Sequence, residues 1–502
     1  MRRGAFTRFE FEHDYLRISI KYFLVFGLLL TGLLISAFYS PVWYDDAGHF
    51  LVAKEAANGH GICYPLDSNG KCAENSPFIT MGPALTWPIA AWMAVFGVGM
   101  LKARLFMVLL ALGVGWILWR LTKLLGNADK GLVAVGIIGL NIQFLTYGAE
   151  VLAEVPMMGM IMLGLLFLLR WQQEEKPIFA GLGLLAFLIA VAIKEYAILP
   201  LSLALLLWWL FALIGKRKAK GIFFLGLSFA VAQCLLMVVL HGGYQGFVSY
   251  LAARSSYGSE FLAFNWILSL KFLILKPLFW LGTAAIFLKW RIKRRSEELP
   301  MLAMQLAWLI FFLLSAGYDR FGFLLLFIPA IYLADFAPYL WKEAGRNPKS
   351  GKLKRVVLIM LGLVIFSQQT FPILGRRMVF PSTVNAYEKD IAKQLSSIQC
   401  TDPIDIYDQQ LVPFLDEGIP WRLIEKVPSA GENCGGQNLD GAEKTHQPLV
   451  IAAGPYAFTE YDKCIVWSKY RVIYTGAGKG ENQWKILVLQ GYSGCSNNLE
   501  IQ

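Results

Sequence analysis

The residues of this 502-residue chain that could do chemistry stand at the ends of long apolar runs. Two adjacent carboxylates, Asp45 and Asp46, come after the first run in "PVWYDDAGHF", and Arg104 opens the second. Glu150 and Glu154 stand in "YGAEVLAEVPMM", Lys194 and Glu195 in "AVAIKEYAILP", and Tyr318, Asp319 and Arg320 in "SAGYDRFGF". Lys271 and Lys276 fall within a further run. Ionisable groups at membrane depth are costly and usually face a cavity or a partner. Acids and cations collected at one membrane face suit transfer of a group from a lipid phosphate. There an acceptor hydroxyl would need a general base, a task for Asp45 with Asp46 beside it. The departing phosphate would need cations where its charge develops, and Lys194, Arg320, Lys276 and Arg104 are the candidates.

Each residue also has a plainer reading. The double acid could be a solvated turn. Glu150 and Glu154, four apart and so on one helix face, could pair with Arg104 or Lys194. Lys271 could extend its stem to the interface, a reading less available to Lys276. Arg320 could neutralise Asp319. His49 lies four residues from Asp45 and with Asp46 hints at a metal, but an interfacial histidine explains it better. What favours a shared site is that residues so far apart in the chain would converge on one face.

The elements that must hold these residues are membrane spans. Hydrophobic residues make up 56% of the chain and charged ones 16%, against about 45–50% apolar in soluble domains. Uncharged runs of about 17–25 residues recur. They fall at 22–39, 104–120, 131–147, 156–171, 177–193, 197–214, 221–240, 266–288, 300–316, 321–340 and 356–373. The net charge of +11 resides in short loops at 120–130, 216–220, 289–298 and 341–355. Such loops stay cytoplasmic, so the charge orients the protein and implies no nucleic-acid partner. All four fall inside only if the Pro-containing segment 78–97 lies in the outer interface rather than spanning. The first run is a spanning helix with its N-terminus inside, not a signal peptide.

Cysteines agree with that topology. Cys63, Cys72, Cys400, Cys434, Cys464 and Cys495 all fall on the outer side, and Cys234 sits alone in a span. An even outer count fits disulfides in an oxidising compartment. Cys63 with Cys72 is a local pair, while the other four allow three pairings. The predicted fold is therefore an α-helical polytopic membrane protein of about eleven spans. Interfacial helices occupy its first outer loop, and a small α/β extracytoplasmic domain ends the chain. Domain boundaries fall at 1–373 and 374–502. In the C-terminal part, "DIYDQQLVPFL", "PLVIAAG", "KCIVWSKYRVIYT" and "WKILVLQ" read as strands and 386–398 as an amphipathic helix. Asp402, Asp405 and Asp408 read there as solvated residues. No internal repeat or pair of broken helices of the transporter kind is visible, and no glycine-rich phosphate loop.

Over roughly residues 20–340 the chain resembles the GT-C class of membrane glycosyltransferases. The likeness is to the branch holding protein O-mannosyltransferases and the lipid A aminoarabinose transferase. It rests on "YDDAGHFLVAKEAANGHG", "MGPALTWPIAAWMAVFG", "KARLF", "YGAEVLAEVP", "IKEYAILP" and "YDRFGFLLLFIPA", in that order. The interfacial helix carries Met-Gly-Pro where relatives often have Lys-Pro-Pro. The resemblance implies Asp45 as base or acceptor-positioning carboxylate with Asp46 as companion, and Glu154, grouped with them as catalytic, as the second acidic position that in relatives binds a cation or orients the acceptor. It further implies Lys194 on the donor phosphate and Arg320 as a late cation. Glu150 and Tyr318 are left to position the acceptor or a cation.

The resemblance and the residues together imply an enzyme, a polyprenyl-phosphate-sugar-dependent hexosyl or pentosyl transferase working by inversion in the plasma (inner) membrane. Its donor would be a polyprenyl-phosphate sugar and its acceptor a lipid, glycan or protein on the outer side, with membrane lipids around it. Metal dependence varies across the class, so no cofactor is predicted and a divalent metal stays open. The alternatives are a transporter or flippase of a lipid-linked substrate, and a catalytically silent assembly subunit.

Overall fold

The computed structural model describes residues 8–72, 81–126, 128–214, 219–250, 266–293, 298–315, 319–346, 386–398, 400, 402–416, 418–424, 449–454, 467–476 and 483–495. Tyr318, Cys434, Cys464 and the expected span at 356–373 lie outside the described residues. The chain groups into two compact units, one of residues 1–38 and 107–376, the other of 39–106 and 377–502. Residues 39–106, expected to hold the first outer loop, group with the C-terminal residues.

The first unit is helical. Among the described residues five helices are long and apolar enough to cross a membrane, or seven if each of two bent pairs is one span. These include α1 (Arg8–Tyr39), α4 (Met100–Leu125), α7 (Glu154–Glu174), Glu195–Ile214 with α9 (Ile198–Ile214), and α10 (Ala219–Leu240). The shorter apolar helices α8 (Pro177–Ile193) and α13 (Leu299–Leu313) stand where spans were expected. Runs 131–147 and 266–288, expected as straight spans, are each broken. Helix α5 (Ala128–Gly139) meets α6 (Ile142–Ala149) at 77°, and the segment within α11 (Trp266–Leu275) meets that within α12 (Pro277–Lys293) at 80°. Local chemistry accounts for both. The Asn141 side chain accepts from the Gln143 N–H at 2.8 Å, capping a new helix. Pro277 has no N–H and disfavours helix at Lys276 before it.

Helices α7 and α8 form an antiparallel hairpin turned by Glu175 in the left-handed region (φ 58°). They approach closely because a Cβ on Gly183 would stand 2.9 Å from Leu168 side-chain carbons, the small-residue packing available to helices in lipid. After the short α14 (Asp319–Phe323) comes α15 (Phe327–Arg346), which an ionic network joins to the two bent helix pairs. Asp335 on α15 is ion-paired with Lys130 of α5 and, at 2.8 Å, with Lys289 of α12. Lys289 also meets Glu298 at 3.2 Å and lies over the Tyr332 ring.

The second unit carries α2 (Tyr44–Ala57), α3 (Pro83–Phe96), α16 (Ala386–Ser397) and a five-stranded sheet of order β2-β1-β3-β5-β4. Helix α3 starts with Pro83 at its first position and stops at Gly97 (φ 92°). Strands β1 (Ile404–Ile406), β2 (Trp421–Leu423) and β3 (Val450–Ala453) are parallel, while β4 (Tyr470–Thr475) and β5 (Lys485–Leu489) run antiparallel. Its core holds Tyr407, Ile451, Ala453, Tyr470 and Leu487. Residues 66–68 extend the β2 edge: Leu423 N–H donates to Leu66 O at 2.7 Å and Ser68 N–H to Trp421 O at 2.9 Å. Disulfides join Cys63 to Cys72 and Cys400 to Cys495. Asp405 and Asp408, expected to be solvated, are instead fully buried. Asp405 is neutralised by Arg422 (2.6 Å), and Asp408 accepts from the Gly454 N–H at 2.9 Å. Asp402 is half-buried and accepts from the Tyr492 hydroxyl.

Candidate active site

The predicted residues fall into two clusters, one in each unit. In the second unit the double acid opens α2. Asp45 and Asp46 lie in the first turn, where the helix dipole favours negative charge. They differ sharply in environment. Asp46 is fully buried and ion-paired with Arg104, itself 3% exposed. The same guanidinium donates to Ser40 O at 2.8 Å and Pro41 O at 2.9 Å. Arg104, a candidate for the donor phosphate in the sequence, is thus engaged as a clamp between the chain after α1 and the start of α2. Asp45 is only half-buried. His49, one turn on, is buried within α2.

In the first unit, Glu150 ends α6 and Glu154 begins α7, and both are buried. Lys194 comes directly after the last residue of α8, so the hairpin brings it back to the start of α7. Its Nζ lies 3.4 Å from Glu154, with side-chain exposures of 6% and 0%. Each charge suits its helix end: an acid at an N-terminus, a cation at a C-terminus. Tyr196 lies 5.6 Å below the Lys194 ammonium and packs against Phe311 and Phe321. It lies within electrostatic reach of both Glu154 and Arg320. Arg320 is half-buried, its guanidinium 5.4 Å from the Phe321 ring. Lys276 is half-buried at the α11–α12 break, over the Phe272 ring at 5.1 Å, whereas Lys271 is exposed.

Several residues of this setting were not singled out in the sequence. Tyr196 had a weak signal, an aromatic two residues after Lys194 at a helix end. Tyr250, on a short helix over 244–250, donates to Glu195, and burial raises its phenol well above the ordinary value. His241 stacks on Tyr250 with ring centroids 4.0 Å apart. Gln409 reaches α2 across 365 residues of sequence, and nothing local betrays it. No group of three or more His, Cys, Asp or Glu side chains suited to a metal occurs among the described residues.

Residues 80–241 match the family model described as dolichyl-phosphate-mannose-protein mannosyltransferase. An uncharacterized protein of Aquifex aeolicus is 24% identical over 433 residues, 80% of this chain and 81% of that one. Among solved structures, ArnT from Cupriavidus metallidurans, bound to undecaprenyl phosphate, is similar with a TM-score of 0.61 at 14% identity. The match covers 94% of this chain and 98% of ArnT. The archaeal oligosaccharyltransferase AglB from Archaeoglobus fulgidus, in complex with an inhibitory peptide and a dolichol-phosphate, gives a TM-score of 0.56 at 12% identity. There the coverage is 94% of this chain and 75% of AglB. The fold is that of the GT-C glycosyltransferases. The resemblance read from the sequence is thereby borne out. Within the GT-C fold, the family-matched stretch contains Arg104, Glu150, Glu154 and Lys194.

Proposed function

We propose that the protein transfers a sugar from a polyprenyl-phosphate donor to a lipid, glycan or protein acceptor at the outer face of the membrane. The observation that carries this reading is the buried Glu154–Lys194 pair, lying inside the stretch that matches the mannosyltransferase family model. An ammonium held at a helix end in an apolar unit is a costly arrangement, and it suits an anionic lipid phosphate. ArnT and AglB, solved with undecaprenyl phosphate and dolichol-phosphate respectively, support the same ligand class.

The reaction is a single displacement with inversion. The acceptor oxygen bonds to the anomeric carbon as the carbon–oxygen bond to the phosphate breaks. Asp45 takes the hydroxyl proton, and polyprenyl phosphate leaves with the bonding pair. Lys194, with Arg320 and Lys276, meets the growing phosphate charge. Glu154 holds the Lys194 ammonium in place, and Tyr196 gives it an aromatic floor. The disulfides Cys63–Cys72 and Cys400–Cys495 support an oxidising, extracytoplasmic compartment for the second unit, in keeping with our reading of an inner-membrane protein whose N-terminus is cytoplasmic.

The test is transfer from a panel of polyprenyl-phosphate sugars in proteoliposomes, for wild type and Lys194→Gln. Transfer by the wild type and its loss in the variant are expected. Broken spans also occur in transporters. Labelled donor that crosses the bilayer with no sugar transferred would therefore overturn the reading.

A further inference from the structure

The sheet of the second unit has a topological switch point. From β1 the chain moves to β2 on one side, then returns to β3 on the other. Such crevices, beyond the carboxyl ends of parallel strands, are where open α/β sheets usually bind ligands. Here a hydrogen bond within the protein spans the two strand ends. Asp408, just after β1, accepts from the N–H of Gly454, just after β3. A Cβ on Gly454 would stand 2.8 Å from the Trp484 ring.

The residue after Asp408 points elsewhere. Gln409 is 3% exposed, and both ends of its amide are used. Its Nε2 donates to Tyr44 O at 2.6 Å, and its Oε1 accepts from the Tyr64 hydroxyl. Tyr44 is the first residue of α2, and Gly48 lies one turn further on. A Cβ on Gly48 would come within 2.8 Å of the same Nε2, so α2 bares its backbone where the amide arrives. Asp45 therefore lies between two clamps. Arg104 grips Ser40 O, Pro41 O and the Asp46 carboxylate, while Gln409 grips Tyr44 O.

We infer that Gln409 is a positioning residue for the transfer reaction, fixing the first turn of α2 and through it the Asp45 carboxylate. The strand ends that would ordinarily cradle a ligand are used to steady the base. This inference rests on the reading of Asp45 as that base. It gives the C-terminal domain a part in turnover that needs no contact with substrate. A carboxylate displaced by an ångström loses much of its effect, on the order of 10²-fold at the extreme.

The test is a double-mutant cycle in the full-length protein, with sugar transfer measured in proteoliposomes. Gln409→Ala should lower kcat about 10- to 100-fold and leave the KM for the polyprenyl-phosphate donor within about 2-fold. Added to Asp45→Asn it should lower the residual rate no further, because the clamp acts only through that carboxylate. Tyr64→Phe, which removes one hydroxyl from the Gln409 amide, should show a milder form of the same pattern and serves if Gln409→Ala is not recovered folded. An unchanged kcat in Gln409→Ala or Tyr64→Phe, with Asp45→Asn strongly slowed, would overturn the positioning role alone. So would a further loss of residual rate in the double variant. Full activity in Asp45→Asn would instead overturn the reading of the base.

Discussion

Asp45 and Asp46 are neighbours in sequence, yet they should fail in different ways when neutralised. Asp46 is fully buried against a guanidinium whose side chain is 4% exposed. Removing one partner of a buried pair leaves the other charge uncompensated, at about 3–5 kcal/mol. The affected unit spans 39–106 and 377–502. For a unit of that size each kcal/mol moves the thermal midpoint by about 2–4 °C, so Asp46→Asn should fall by on the order of 10 °C. Arg104→Ala should fall similarly, because it also releases Ser40 O and Pro41 O. Asp45 is half-buried, and its amide variant should move the midpoint by less than about 1 kcal/mol of stability. Its turnover should drop by about 10²–10⁴-fold, the usual worth of a general base. Thermal unfolding of the detergent-solubilised protein and the transfer assay, run on the same preparations, separate the two effects. An Asp46→Asn protein with an unmoved midpoint and no activity, beside an active Asp45→Asn, would reverse the roles and refute the argument from burial.

The Lys194–Glu154 pair should behave as a unit: Lys194→Gln and Glu154→Gln should each cost about 3–5 kcal/mol. The double variant should recover part of that stability without recovering transfer, as a double-mutant cycle of midpoint and rate would read. Non-reducing peptide mapping should find Cys63 joined to Cys72 and Cys400 to Cys495. Loop entropy sets the greater loss on reduction at the bond closing 95 residues, about 4.7 kcal/mol against about 2.6 for the short loop; equal losses for Cys400→Ser and Cys63→Ser would contradict that account. Asp335→Ala takes from Lys130 and Lys289 the carboxylate they share and leaves Glu298 to pair with Lys289. It should lower the midpoint by an amount equivalent to about 3 kcal/mol and leave kcat of the folded fraction unchanged, whereas a selective loss of kcat would place the network in the reaction.

How much of the fold and the site was legible in the sequence depended on the range of the interactions involved. Helices such as 177–193 were readable because an apolar run and a proline at the first position are local signals. The two broken spans were missed, although Asn141 and the Lys276–Pro277 step carried their own local cues. A hydropathy average is blind to a single capping side chain. The Cys63–Cys72 pair was visible from spacing, whereas Cys400 with Cys495 was one option among several.

The candidate site divides in the same way. That Asp45, Glu154, Lys194 and Arg320 were worth naming came from the cost of charge near a membrane, a one-residue argument. Which acid is structural did not, because that is decided by a partner 58 residues away. Nothing in "YDDAGH" separates two carboxylates that one guanidinium tells apart. The buried Asp405 and Asp408 repeat the lesson, since Arg422 and the Gly454 N–H satisfy acids that local polarity marked as solvated. A residue's type thus announced what chemistry it could perform, and its distant surroundings determined whether it was placed to perform it. On that reasoning Asp45, half-buried beside a clamped neighbour and reachable by solvent, is the acid we propose takes the proton.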